Sequence, residues 1–218
     1  MGGMCGLAWA GDTVIGQVVR KTGQVSVWRG ELRQMLEVGD PIYPEDVLRT
    51  GLVGRVEVRF VDDTSITLAD RTTFSIKDYG LTEPYPRAKF QLLLGAVRTV
   101  SGTIAQTYPE GFSVSTPVAT IGIRGTDFWA GTLDGLFNVV LLSGAAVVVE
   151  NPRGRVELTR PGQSTQVEIP GVAPPDPDAP EEEVANILGQ MARQAQAPAN
   201  PSLMPSDRLS QILNSVAF

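Results

Sequence analysis

The alternation in "RVEVRF", residues 55–60, sets what this chain can become. In an extended segment Val56, Val58 and Phe60 fall on one face, and Arg55, Glu57 and Arg59 on the other. A helix would scatter the same residues around its axis. The pattern recurs in "GQVSVWRG" (23–30), "SITL" (65–68), "TTFSI" (72–76), "FSVST" (112–116), "FNVVLL" (137–142), "AAVVVE" (145–150) and "RVELT" (155–159). Glycines such as Gly30, Gly51, Gly54, Gly95, Gly144 and Gly154 punctuate the gaps. Short strands at roughly 8–12-residue spacing, broken by turn signals, predict an all-β sandwich, barrel or solenoid-like stack. "AKFQLLLGAVRTV" (88–100) is apolar enough for a helix. Gly95 in its middle and its β-branched flank favour two strands joined by a turn.

Past Pro170 the pattern stops. "PGVAPPDPDAP" (170–180) reads as a stiff proline-rich linker. Two short amphipathic helices follow. Val184, Ile187, Leu188 and Met191 form one apolar stripe, and Leu209, Ile212, Leu213 and Val216 form another. Asp178 with Glu181 fits a capping box, and Ser206 fits an N-cap. Glu181, Glu182 and Glu183 suit a helix start electrostatically. Helices this short are marginal alone, so each needs a surface. Two surfaces are open to them: the β domain itself, or a partner chain that takes the stripes as an interaction face. The organisation is therefore residues 1–10 as a signal-peptide remnant, 11–170 as a β domain, 171–180 as the linker, and 181–218 as a helical appendage. The signal reading rests on Ala8-Trp9-Ala10, an A-x-A cleavage pattern; the competing reading is an N-terminus without a role.

Composition removes several chemistries. The chain has 218 residues and no histidine, so histidine metal sites, histidine bases and histidine triads are excluded. Cys5 is the single cysteine, so no intrachain disulfide forms, and no Leu-x-Gly/Ala run precedes it to suggest a lipoprotein. A net charge of −6 opposes binding to nucleic acid or anionic lipid. No apolar run reaches the roughly 18 residues of a membrane span. Asp62 and Asp63 are a weak calcium pair, better read as a solvated turn. Tyr79, Tyr85 and Tyr108 lie near prolines, where packing competes with a sugar-stacking role. No cofactor, metal or catalytic residue is expected, and a small ligand or glycan is the lesser partner class.

Three stretches carry a family resemblance. "GDPIYPEDVLRTGLVGRVEVRFVDDTSITLADRTTFSI" (39–76) resembles the FecR domain, whose pattern runs G-D-x-I, D-x-V-x-T-G, an alternating strand ending in Phe, then D-G-T-x-L-x-L. Here Asp62-Asp63-Thr64 replaces Asp-Gly-Thr. "LLLGAVRTV" (92–100) is similar to the family's L-x-x-G-x-V-R. "FSVSTPVATIGIRGTDFWAG" (112–131) resembles F-x-V-x-T-P-x-A-x-x-G-V-R-G-T-x-F, placing Thr116, Pro117, Gly122, Arg124, Gly125, Thr126 and Phe128 in the signature. The resemblance implies an all-β module, twisted as a solenoid or sandwich, in the periplasm or outside the cell. Edge-capable short strands and the appended helices favour a role through protein partners or self-assembly, and acidic residues on outward faces or in turns argue against an enzyme. Iron-uptake relatives are membrane-anchored anti-sigma regulators with a cytosolic helical segment and a receptor-binding C-terminal domain. This chain lacks the marks of both, so the reading favoured is a stand-alone envelope scaffold or interaction module. A signalling regulator of the sigma/anti-sigma type is the alternative. Arg124 sits in apolar company. Its two readings are an anion grip and an internal tie to a carboxylate such as Asp40, Asp46 or Asp127, and the tie is expected.

Overall fold

The computed structural model describes residues 13–176 and 179–218. The signal-remnant and Cys5 readings lie outside these residues, as does Asp178. The strands, in chain order, are β1 (Gly16–Thr22), β2 (Val25–Arg29), β3 (Leu32–Met35), β4 (Pro41–Ile42), β5 (Val47–Thr50), β6 (Arg55–Phe60), β7 (Ser65–Leu68), β8 (Thr73–Gly80), β9 (Arg87–Leu94) and β10 (Ala96–Val100). A short helix, α1 (Thr103–Thr107), leads to β11 (Phe112–Ser115), β12 (Thr120–Leu133), β13 (Leu136–Asn151), β14 (Gly154–Leu158) and β15 (Gln163–Val167). Helix α2 (Glu181–Gln194), a two-residue strand β16 (Ser202–Leu203) and helix α3 (Ser206–Ser215) close the chain. The fold is all-β with short C-terminal helices.

All the strands join one 16-stranded sheet that doubles back on itself. One arm runs β3-β2-β5-β8-β9-β11 to the first half of β12. The other runs β4-β1-β6-β7-β10 to the second half of β12. The long β12–β13 hairpin belongs to both arms. The end of β13 carries β14, and its beginning carries β15, which in turn pairs with β16. Inward residues of the two arms meet in one core: Val27, Leu48, Phe74 and Phe90 from the first, Val58, Ile66, Val97 and Phe60 from the second. The Phe60 and Phe90 rings are 5.2 Å apart across the layers. Burying these faces against each other is what the period-two pattern demands.

Two expectations change in detail. Gly144 does not separate two strands; "FNVVLL" and "AAVVVE" are one 16-residue strand that bends there. Its φ is +106°, and a Cβ on it would lie 2.2 Å from the Gly125 carbonyl oxygen across the hairpin. Gly125 itself has φ +53°. The two glycines let the backbones close on each other where the hairpin passes from one arm to the other, beside a register shift at Asp127/Phe128. Gly95 does separate two strands, but those strands do not pair. β9 continues into the first arm and β10 into the second, so Gly95 (φ +85°) is a corner between layers.

The helices dock on the β domain. Met191 and Ala195 enter the main core, with Ile187 and Leu188 packed against it. Arg153 donates to the Arg193 carbonyl (2.9 Å) and the Ala195 carbonyl, holding the end of α2. α3 lies on the outer face of the second arm, where Ile212, Val216 and Leu209 join Trp129, Val140, Ala96 and Met204 in a second apolar cluster. Arg55 donates to the Ser215 carbonyl at 3.0 Å and Arg208 meets Asp134 at 2.6 Å. Of the residues read as an interaction face for a partner, Ile187, Leu188, Met191, Leu209, Ile212 and Val216 are therefore packed in cis, while Val184 and Leu213 join neither cluster. Glu181 and Ser206 are first helical residues, preceded by Pro180 and Pro205 with no side-chain cap. The fixed φ of proline orders these helix starts where a capping side chain was expected.

Candidate interaction surface

The signature stretch is structural at most of its positions. Thr116 closes a tight turn: its Oγ1 donates to the Ala119 carbonyl (2.9 Å) and accepts the Val118 and Ala119 amides (3.2 and 3.0 Å). Pro117 sits inside that turn. Thr126 Oγ1 donates toward the carbonyls of Arg124 (3.0 Å) and Ala146 (2.9 Å), pinning the hairpin bend. Its amide donates to Ser101 Oγ at 2.7 Å. Phe128 is fully buried in the core. Gly122 has open space where a Cβ would stand, so sterics do not require glycine there.

Arg124 is the exception, and the expected tie is not made by it. Its side chain is exposed and takes part in no hydrogen bond or ion pair among the described residues. Position 124 lies on the outward side of β12, opposite buried Ile123, so the pleat turns the guanidinium to solvent. Other arginines tie the carboxylates it was expected to meet. Arg98 on β10 makes a bidentate pair with Asp127 on β12, at 3.0 and 2.7 Å. That hydrogen bonding holds the Arg98 guanidinium above its ordinary pKa. Arg29 makes a second bidentate pair with buried Asp46, at 2.8 and 3.1 Å, and also donates to the Pro41 carbonyl at 2.8 Å. Asp40 accepts the Glu37 amide.

The "VDD" turn is not simply solvated. Asp62 is buried, accepting from the Tyr79 hydroxyl (2.8 Å), Thr64 Oγ1 (2.9 Å) and the Thr64 and Ile104 amides (3.2 and 3.3 Å). Asp63 stands in the turn at φ 66°. No cluster of three metal-ligating residues exists among the described residues. Tyr79 is 7% exposed and packs on Phe60, so it offers no ring face to a sugar. Its phenol is pushed above the ordinary pKa, first by burial and then by Asp62. Tyr85 and Tyr108 form a tilted ring pair at 5.8 Å.

The outer face of the first arm carries the arrangement that sequence reading missed. Trp28 projects outward from β2 between two guanidinium groups. Arg33 on β3 stands 3.8 Å from its ring centroid and Arg49 on β5 stands 4.5 Å away. Trp28 and Arg33 are directly opposite in the β2–β3 register, which brings their side chains together. Around them opens a groove of about 390 Å³ lined also by Arg71, Met35 and Leu52, with no carboxylate among the described residues of its wall. Beside it, all four residues of β3 are exposed, and no strand among the described residues pairs with its far side. The available signal was the odd outward tryptophan in "VSVWRG"; "LRQM" has no alternation to reveal an edge strand.

Residues 46–147 match the family model described as FecR protein. No curated protein matches the chain. Two crystal structures of a "putative anti-sigma factor" from Parabacteroides distasonis are similar to it at 19% identity, with TM-scores of 0.46 and 0.47. Each match covers 57% of this chain and 56% or 55% of the other, so it spans little more than half of those proteins.

Proposed function

We propose that this FecR-domain protein is a non-enzymatic signalling regulator that works outside the cytoplasm by holding a protein partner on its β domain. The family match over residues 46–147 carries this reading, and the resemblance to the FecR domain implies a module outside the cytoplasm. The signature residues serve the bend and the core, which suits a rigid platform. The scaffold reading keeps one observation in its favour, the open edge of β3, which a second copy could extend. Its other support, the C-terminal stripes, is largely used in cis.

The test is transcriptional. Deleting the gene and profiling RNA should change a small set of promoters that share one sigma factor, and restoring the chain should reverse the change. An alkaline phosphatase fusion to the chain should be active, as export requires. An unchanged transcriptome with an assembled, exported protein would replace the regulator by the scaffold.

A further inference from the structure

The groove beside β3 has a chemistry that the signalling reading does not use. The protein carries 24 acidic and 18 basic residues, yet Arg33 and Arg71 line this groove and no carboxylate is among the described residues of its wall. Among the described residues Arg33 meets one carboxylate, Glu181, 3.9 Å away, with both side chains largely exposed. A loose, solvated pair of this kind contributes little and is readily displaced.

The backbone of β3 adds a second feature. The Leu36 amide donates to the Val25 carbonyl at 2.9 Å. Antiparallel pairs alternate between bonded and non-bonded, so the β2–β3 register makes Val27/Gln34 the next bonded pair and Trp28/Arg33 and Ser26/Met35 non-bonded. The amides and carbonyls of Arg33 and Met35 therefore point away from β2, to the open edge. Their side chains point to the same outer face as Trp28. One short stretch thus presents main-chain groups unpaired among the described residues along its edge, and cationic, aromatic side chains on its face.

We propose that the β3 edge takes an extended acidic segment of a partner protein as an added strand, with carboxylates at alternate positions directed to Arg33 and the groove behind it. Main-chain pairing supplies the docking, and the period-two spacing of acidic side chains supplies the selectivity. The unpaired edge amides favour a peptide over nucleic acid, whose backbone has no matching donor–acceptor ladder. The inference rests on the reading that this domain holds a protein partner.

A fluorescein-labelled peptide of alternating Glu and Val, titrated with the full chain and read by anisotropy, tests it. The expected result is saturable binding that weakens as salt rises toward about 0.5 M. Arg33→Glu should weaken binding by roughly tenfold or more. Met35→Pro, which removes one edge amide, should do the same, while Met35→Ala should not. Melting of each variant checks that it is folded, and Arg33→Glu reads the charge even where the proline variant is not. Equal binding of the matching Lys–Val peptide, unchanged binding to both Arg33→Glu and Met35→Pro, or no binding at all would overturn the proposal. So would preferential binding of a short oligothymidylate, or a dimer in light scattering that Met35→Pro dissolves. In cells, normal promoter control by Arg33→Glu and Met35→Pro would sink this inference alone. Intact peptide binding with no promoter effect of the gene would sink the signalling reading instead.

Discussion

Trp129 and Trp28 occupy the outer faces of the two arms of one sheet, and they have opposite fates. Trp129 is 2% exposed beneath α3, packed with Val140 and Ile212. Trp28 is half-buried, with the guanidinium groups of Arg33 and Arg49 over its ring. The second arm has been finished by a helix from the same chain. The first has been left with charge over an aromatic ring, a cover that a competing ligand can exchange. An outward tryptophan in a strand is thus either a dock for the chain's own appendage or a surface feature, and the neighbouring residues decide which.

The comparison breaks first at the tryptophans. Trp129→Ala should cost about 3–5 kcal/mol in urea unfolding, because it empties a packed cluster. Trp28→Ala should cost about 1–2 kcal/mol, the loss of two partly solvated cation–π contacts and some packing. Equal costs would mean that the two faces are not differently finished. Gly144→Ala tests the bend that joins the faces. The positive φ and the close Gly125 carbonyl should make it lose about 2–3 kcal/mol, whereas Gly122→Ala, in open space, should lose less than about 1 kcal/mol.

Two smaller effects sharpen the picture. The Tyr79 phenol titrates above its ordinary value of 10.0 in the folded protein. Its contribution is complete below that pH. As pH rises past about 10 the unfolded chain ionises first, and folded stability falls. Melting temperature should decline there in the wild type, and Tyr79→Phe should show a shallower decline; identical slopes would remove the phenol from the account. Arg124→Ala should change stability by no more than about 0.5 kcal/mol, as for an exposed side chain without a partner. A large loss would restore the internal tie to Arg124.

The strands and their inward faces were legible because each depends on neighbours two residues apart. Val56, Val58 and Phe60 point inward together, as their spacing requires. What was not legible depends on pairing far along the chain. The corner at Gly95 looks like a hairpin turn until β9 and β10 are seen to join different layers. Arg98 reaches Asp127 only because β10 lies beside β12, and that neighbour relation left Arg124 without the role its apolar context suggested. Asp62 read as a turn residue, yet Tyr79 and the start of α1 arrive over it from other elements. The helix stripes were visible, but an apolar stripe says that a surface is needed and leaves its owner open. The groove had the weakest signal, since its arginines come from β3, β5 and the loop before β8.

The β12–β13 hairpin also bears on how the molecule comes apart. Its halves are bonded to different arms, while its own pairing is between residues close in sequence. Neither arm can lose its last full-length neighbour without disturbing a strand of the other. Unfolding should therefore be a single all-or-none transition, with no state in which one arm survives alone. The hairpin, cheap in loop-closure entropy, is the natural place for folding to begin. Mutations at its bend should then slow folding, while changes at the distant β3 edge should leave the folding rate untouched and act only on what that edge can hold.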